Sequence, residues 1–245
     1  MIFSQYEKNT AMPCALPCFL FSDIYNFRLP IGEIRDIIYQ THFYGVTTMS
    51  KTVLYIHGKN GSAEEAEHYR PLFPKCDIVG LDYRTFTPWE TGIEIKTEVE
   101  RLAESSDGVI LIANSIGAYF SMCAGIDGLI EKAYFISPIV DMEGLVLGMM
   151  ALAEVSEDEL KEKGVVRTTF NEELSWDYLC YVRKNRTKWS APTEILYGGL
   201  DELTPRDVIE EFSKAHGAAL TVMENGEHWF HTEEQMAFLD KWIKG

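Results

Sequence analysis

From Lys51 onward, short runs rich in β-branched and aliphatic residues alternate with stretches of helical pattern. That alternation confines the chain to a mainly parallel sheet with crossover helices on its faces. Thr52-Val-Leu-Tyr-Ile56 reads as a buried first strand and Cys76-Asp-Ile-Val-Gly-Leu-Asp82 as the second. Gly108 to Ala113, Lys132 to Ser137, Thr193 to Tyr197 and Ala219 to Met223 supply four more, which makes a six-stranded α/β sheet. Helices are expected from Ser62 to about Leu72, Gly92 to Ser105, and Ser115 to about Ala124. Ser62-Ala-Glu-Glu65 and Thr232-Glu-Glu-Gln235 have the capping-box pattern, and Thr204-Pro205 reads as an N-cap followed by proline at the first helical position. The last helix places Met236, Leu239 and Ile243 on one apolar face.

Two segments stand outside the alternation. Residues 139–190 carry helical patterns without a clear strand: an apolar run from Met142 to Ala153, a charged run from Ser156 to Lys163, and an amphipathic run from Ser175 to Arg186. An inserted helical cap fits them better than a long structureless crossover loop, which a compact domain rarely contains. Residues 1–48 sustain no period and read as a peripheral N-terminal extension, leaving 49–138 and 191–245 as the core.

The 245 residues are 46% hydrophobic and 12% aromatic, enough for one large core and unlike a disordered chain. A net charge of −16 disfavours nucleic acids and anionic membranes as partners, since both reward basic patches. The apolar run from Ala11 to Phe21 is short and broken by Pro13 and Pro17, so it cannot span a bilayer, and it lacks the features of a signal peptide. Five cysteines without zinc-ribbon spacing read as buried free thiols in a reducing compartment, and a cytoplasmic protein is expected.

In an open parallel sheet, ligands bind beyond the carboxyl ends of the strands, so the residues that follow each strand carry the chemistry. The third strand runs into Ala113-Asn-Ser115-Ile-Gly117 and then a helix. Serine on such a strand-to-helix turn has an exposed hydroxyl, and the crowded turn demands small residues two positions before and after it. The commoner role for such a serine is helix N-cap. The fifth strand ends in Gly198-Gly-Leu-Asp201, whose glycines permit unusual backbone angles and whose aspartate is either a turn residue or a catalytic acid. The sixth ends in Asn225-Gly-Glu-His228, with His231 three residues on.

Tyr55-Ile-His57-Gly58, Ala113-Asn-Ser115-Ile-Gly117, Gly198-Gly-Leu-Asp201 and Gly226-Glu-His228, in this order, resemble the α/β-hydrolase superfamily. The resemblance covers roughly Lys51 to Lys244. It implies an α/β-hydrolase fold with Ser115 as nucleophile, His228 as its base and Asp201 orienting the base. It also implies an oxyanion hole made by the backbone N–H of Ile116 with that of Lys59 or, next, Asn60. Ala113 stands where glycine is usual and Asn114 where histidine is frequent. His231 and Asp141 are the reserve base and acid.

The resemblance thus implies a serine hydrolase that acts on a carboxylic ester of a small acyl substrate. Peptidase or amidase, thioesterase and lactone chemistry would use the same groups, and acyl transfer to an acceptor other than water stays open. A non-catalytic binding protein on this fold is the other class, disfavoured because none of the three residues is missing. A dehalogenase would need a carboxylate in place of Ser115, and Gly58-Lys-Asn-Gly61 lacks the spacing of a phosphate-binding loop. No metal or organic cofactor is expected, since the His228-x-x-His231 pair has no further ligands nearby.

Overall fold

Residues 50–245 are described by a computed structural model, and the sheet at their centre is built from strands that are apolar on both faces. In chain order the strands are β1 (Lys51–Ile56), β2 (Cys76–Gly80), β3 (Val109–Asn114), β4 (Lys132–Ile136), β5 (Val165–Arg167), β6 (Glu173–Ser175), β7 (Thr193–Gly198) and β8 (Ala219–Met223). Six of them form one sheet in the order β2-β1-β3-β4-β7-β8. Every neighbouring pair in it is parallel. This is the six-stranded parallel architecture that the alternation predicts.

Because side chains alternate across a strand, each strand feeds two cores. Leu54, Leu111, Phe135 and Ile195 point into one. Val53, Ile112, Tyr134 and Leu196 point into the other. Helix α1 (Pro88–Ser105) covers the first face with Ile95, Val99 and Leu102, beside α2 (Ile116–Cys123). A 3₁₀ segment, Ala63–Leu72, covers the second face with Ala66 and Tyr69. The helices α3 (Met142–Leu152), α4 (Glu157–Lys163) and α5 (Trp176–Lys184) follow β4. Then α6 (Arg206–His216) packs on the first face through Ile209 and Phe212, and α7 (Glu233–Lys244) packs on the second through Leu239, Trp242 and Ile243.

The structure departs from the sequence reading at several places. Helix α1 begins at Pro88 rather than Gly92, because the Thr87 hydroxyl accepts from the Glu90 N–H at 3.4 Å and Pro88 fills the first helical position. Ser62 makes no capping bond, and the segment after it winds as 3₁₀ with Pro71 near its end. Thr232 does cap α7, through the Gln235 N–H. The segment between β4 and β7 is not purely helical. Its two short strands β5 and β6 pair antiparallel, Val166 opposite Leu174, apart from the main sheet. Cys123 and Cys76 are only partly buried and Cys180 is exposed, so these free thiols are not the core residues expected. Cys14, Cys18 and the expected extension over residues 1–48 lie outside the described residues.

The strand order reverses around β1: β2 lies on one side of it and β3 on the other. Such a switch point opens a crevice at the carboxyl ends of the two diverging strands. Ile56 pairs with Ala113, so β1 and β3 end level and deliver His57-Gly58-Lys59 and Asn114-Ser115-Ile116 to that crevice together.

Candidate active site

Ser115 leaves β3 with φ 54° and ψ −121°, a conformation that costs a residue with a Cβ. The strain is held from both sides: its N–H donates to Ile136 O at 2.9 Å, and its carbonyl accepts from the Ile139 N–H at 3.2 Å. The turn packs tightly on β1. A Cβ on Gly117 would lie 2.5 Å from His57 O, which is why a small residue stands two positions after the serine. Helix α2 starts at once, yet the Ser115 hydroxyl makes no capping bond to it. The hydroxyl is spent elsewhere.

It lies 2.8 Å from Nε2 of His228, 113 residues away. The other ring nitrogen, Nδ1, lies 2.7 Å from Oδ2 of Asp201. A neutral imidazole that donates from Nδ1 to the carboxylate has Nε2 free to accept from the serine hydroxyl. The Asp201 side chain is fully buried, and the His228 side chain is one-fifth exposed. A buried carboxylate is costly unless its lone pairs are filled. Here Oδ1 accepts from the backbone N–H groups of Leu203 at 2.8 Å and Thr204 at 3.2 Å, while Oδ2 takes the imidazole.

The loops carrying Asp201 and His228 meet backbone to backbone. The Leu200 N–H donates to Gly226 O at 2.8 Å, and the Gly199 N–H to Met223 O at 2.8 Å. A Cβ on Gly198 would lie 2.4 Å from Glu227 O. Gly198 and Gly199 are not among the positive-φ residues, so close approach, not unusual backbone angles, is what they provide.

Thr204 was missed as a site residue because its contact spans 66 residues. It does not cap α6, whose first residue is Arg206 and whose N-cap position holds Pro205. Its buried hydroxyl instead donates to Pro138 O at 3.1 Å, and its carbonyl accepts from the Tyr197 hydroxyl at 2.7 Å. Thr204 thereby ties the Asp201 loop to the end of β4. The reserve candidates are engaged otherwise: Asp141 caps α3 through the Gly144 N–H at 2.9 Å, and His231 Nδ1 lies 2.7 Å from Trp229 O, its ring stacked on Trp229.

No family model matches the sequence, and no curated protein matches it. Solved structures do. Est1E from Butyrivibrio proteoclasticus superposes with a TM-score of 0.64 at 15% identity, covering 82% of this chain and 88% of its own. Alpha/beta hydrolase domain-containing protein 10 from mouse gives 0.59 at 15% identity, covering 78% and 87%. A lipase-esterase related protein from Clostridium acetobutylicum gives 0.53 at 13%, covering 79% and 93%. The chain has the α/β-hydrolase fold.

On this hydrolase fold the serine turn opens onto a cavity of about 490 Å³. Ile116 and Lys59 line it from the core, Phe86, Thr87 and Leu203 from the loops after β2 and β7, and Trp89 from the first turn of α1. The segment between β4 and β7 supplies the rest, from α3, from the β5–β6 hairpin and from Tyr178 of α5. Ile116, at the first position of α2, has a backbone N–H without an intrahelical acceptor. The Gly58–Gly61 turn, closed by the Gly61 N–H on Gly58 O at 3.2 Å, carries Lys59 to the cavity and Asn60 to the surface at φ 62°. The structure therefore brings Ile116 and Lys59 together, and Asn60 is not part of the lining. The Lys59 ammonium pairs with the Glu172 carboxylate of the hairpin.

Burial pushes the Cys123 thiol up to about 11, so it stays protonated at neutral pH and is a poor nucleophile. Among the described residues there is no group of three or more His, Cys, Asp or Glu that could hold a metal ion. Among them, too, no helix is long and apolar enough to cross a membrane.

Proposed function

We propose that this chain is a serine hydrolase that cleaves a carboxylic ester of a small substrate through an acyl-enzyme on Ser115. The observation that carries the reading is the hydrogen-bonded chain from the Ser115 hydroxyl through His228 to the buried Asp201 carboxylate, at 2.8 Å and 2.7 Å. In it, His228 takes the serine proton as Oγ attacks the carbonyl carbon, then returns it to the leaving group. Asp201 holds the imidazole tautomer and stabilises the imidazolium. The developing oxyanion is met by the Ile116 N–H, with the Lys59 N–H as the partner donor. The residues between β4 and β7 act as a cap that walls the substrate cavity, so the ester bond is broken away from bulk water. The charge of −16 favours a small molecule over nucleic acid or an anionic membrane, and free thiols at Cys76, Cys123 and Cys180 fit a reducing, cytoplasmic setting.

The test is a rate screen over p-nitrophenyl esters of rising chain length, matched thioesters and aminoacyl amides. Esters are expected to be turned over fastest. Faster turnover of amides or thioesters would move the assignment to a peptidase or thioesterase, and inertness toward all of them to a binding protein.

Thr204 follows from the same reading as a positioning residue. Thr204→Val keeps the shape but removes the hydroxyl that anchors the Asp201 loop to Pro138. It is expected to lower kcat about 10- to 100-fold with little change in KM, because small misplacement of a catalytic group is expensive. Thr204→Ser is expected to restore kcat, and steady-state kinetics on the three proteins checks both statements.

A further inference from the structure

We infer that the cavity beside Ser115 takes the acyl group of the substrate and accepts it only when that group is uncharged. This inference rests on the hydrolase reading above and adds the substrate class to it. The side of the bond follows from proton transfer. His228 must give its proton to the leaving group, so the leaving group lies on the imidazole side. The cavity lining includes Ile116 and Lys59 but not His228, so the group that enters it is the other substituent of the carbonyl, the acyl group.

The charge preference follows from the walls. Met142, Val146, Met149, Leu174, Trp89 and Phe86 present apolar surface, and about 490 Å³ is room for a medium acyl chain or an aryl group. The two methionines make that surface adaptable to shape, so the selection falls on polarity and not on a single contour. The ionic residues of the lining are Lys59, Glu172 and Glu173. Lys59 is already paired with Glu172, and Glu173 faces Arg167 at 3.8 Å. A carboxylate carried into the cavity by the acyl chain would lose hydration against those apolar walls and find both nearby cations, Lys59 and Arg167, already held by Glu172 and Glu173.

The matched probes are p-nitrophenyl hexanoate and the mono-p-nitrophenyl ester of adipic acid, which has the same chain length and ends in a carboxylate. For the wild type we expect kcat/KM to favour hexanoate by at least about 100-fold. The Glu172→Gln, Glu173→Gln double variant frees the Lys59 and Arg167 cations to meet a substrate carboxylate, and is expected to shrink that ratio at least tenfold. Equilibrium binding of both esters to Ser115→Ala separates this inference from the reading beneath it. Selective binding of hexanoate by Ser115→Ala supports the inference even if the wild type hydrolyses neither ester. Equal affinity for the two esters, no measurable binding of either, or a ratio unmoved by the double variant would overturn it.

Discussion

Ser115→Ala is expected to lower kcat on a p-nitrophenyl ester by on the order of 10⁴- to 10⁶-fold while leaving KM within a few-fold. The reason is positional. Ser115 Oγ is the one oxygen that the strained turn after β3 holds 2.8 Å from His228 Nε2. An alanine keeps the backbone bonds to Ile136 and Ile139, so the turn and the cavity beside it persist. On the proposed function, what remains is a cavity with the Ile116 and Lys59 N–H groups as oxyanion donors, which by themselves give only a residual acceleration. Stopped assays at high enzyme concentration measure the residue, and circular dichroism confirms that the variant is folded. A loss below tenfold would mean that another group attacks the carbonyl.

Asp201→Asn is expected to cost about 10⁴-fold in kcat, nearly as much, although the residue touches no substrate. The amide matches the carboxylate in size and can still accept from the Leu203 and Thr204 N–H groups through its oxygen. Its nitrogen then faces His228 Nδ1, where the carboxylate accepted at 2.7 Å. Two donors cannot share that contact, so the imidazole is driven to the tautomer whose Nε2 carries the proton, and it can no longer take one from Ser115. KM is expected to stay near the wild-type value. A variant with intact kcat would reassign Asp201 to a purely structural role in the turn.

The convergence of the candidate site residues was legible in the sequence because they follow strands directly. Ser115, Asp201 and His228 each stand within a few residues of the end of a strand whose apolar pattern is unmistakable, and parallel order puts all those ends on one rim. The limits of β8 coincide with those read from Ala219 to Met223, for the same reason. What escaped was whatever depends on distant partners. Thr204 has a perfectly good local pattern for an N-cap, yet its hydroxyl finds Pro138, 66 residues away, just past the end of the neighbouring strand β4. Gly198 looks like a turn glycine, and only the neighbouring loop at Glu227 shows that it makes space instead. The β5–β6 hairpin has three residues per strand, too few for a period of two to register against the helices on either side. Ser62 has the capping pattern without the cap: the segment after it winds as 3₁₀, and the Glu65 N–H donates to the Ser62 carbonyl at 3.3 Å instead of to its hydroxyl.

The cavity was the least legible feature of all. Its walls come from α1, α2, α3, the hairpin, α5 and the loops after β1, β2 and β7, and an apolar residue lining a cavity has the same spacing as one filling a core. Helix α3 illustrates this: Met150 is buried in packing, while Met149, one residue earlier, lines the cavity.

The nucleophile can be read out most directly by reacting the intact protein with an alkyl fluorophosphonate and locating the adduct by peptide mass analysis. The expected result is one adduct, on the peptide containing Ser115, absent from Ser115→Ala and formed far more slowly in His228→Ala. An adduct on any other residue, or undiminished labelling of Ser115→Ala, would contradict the account.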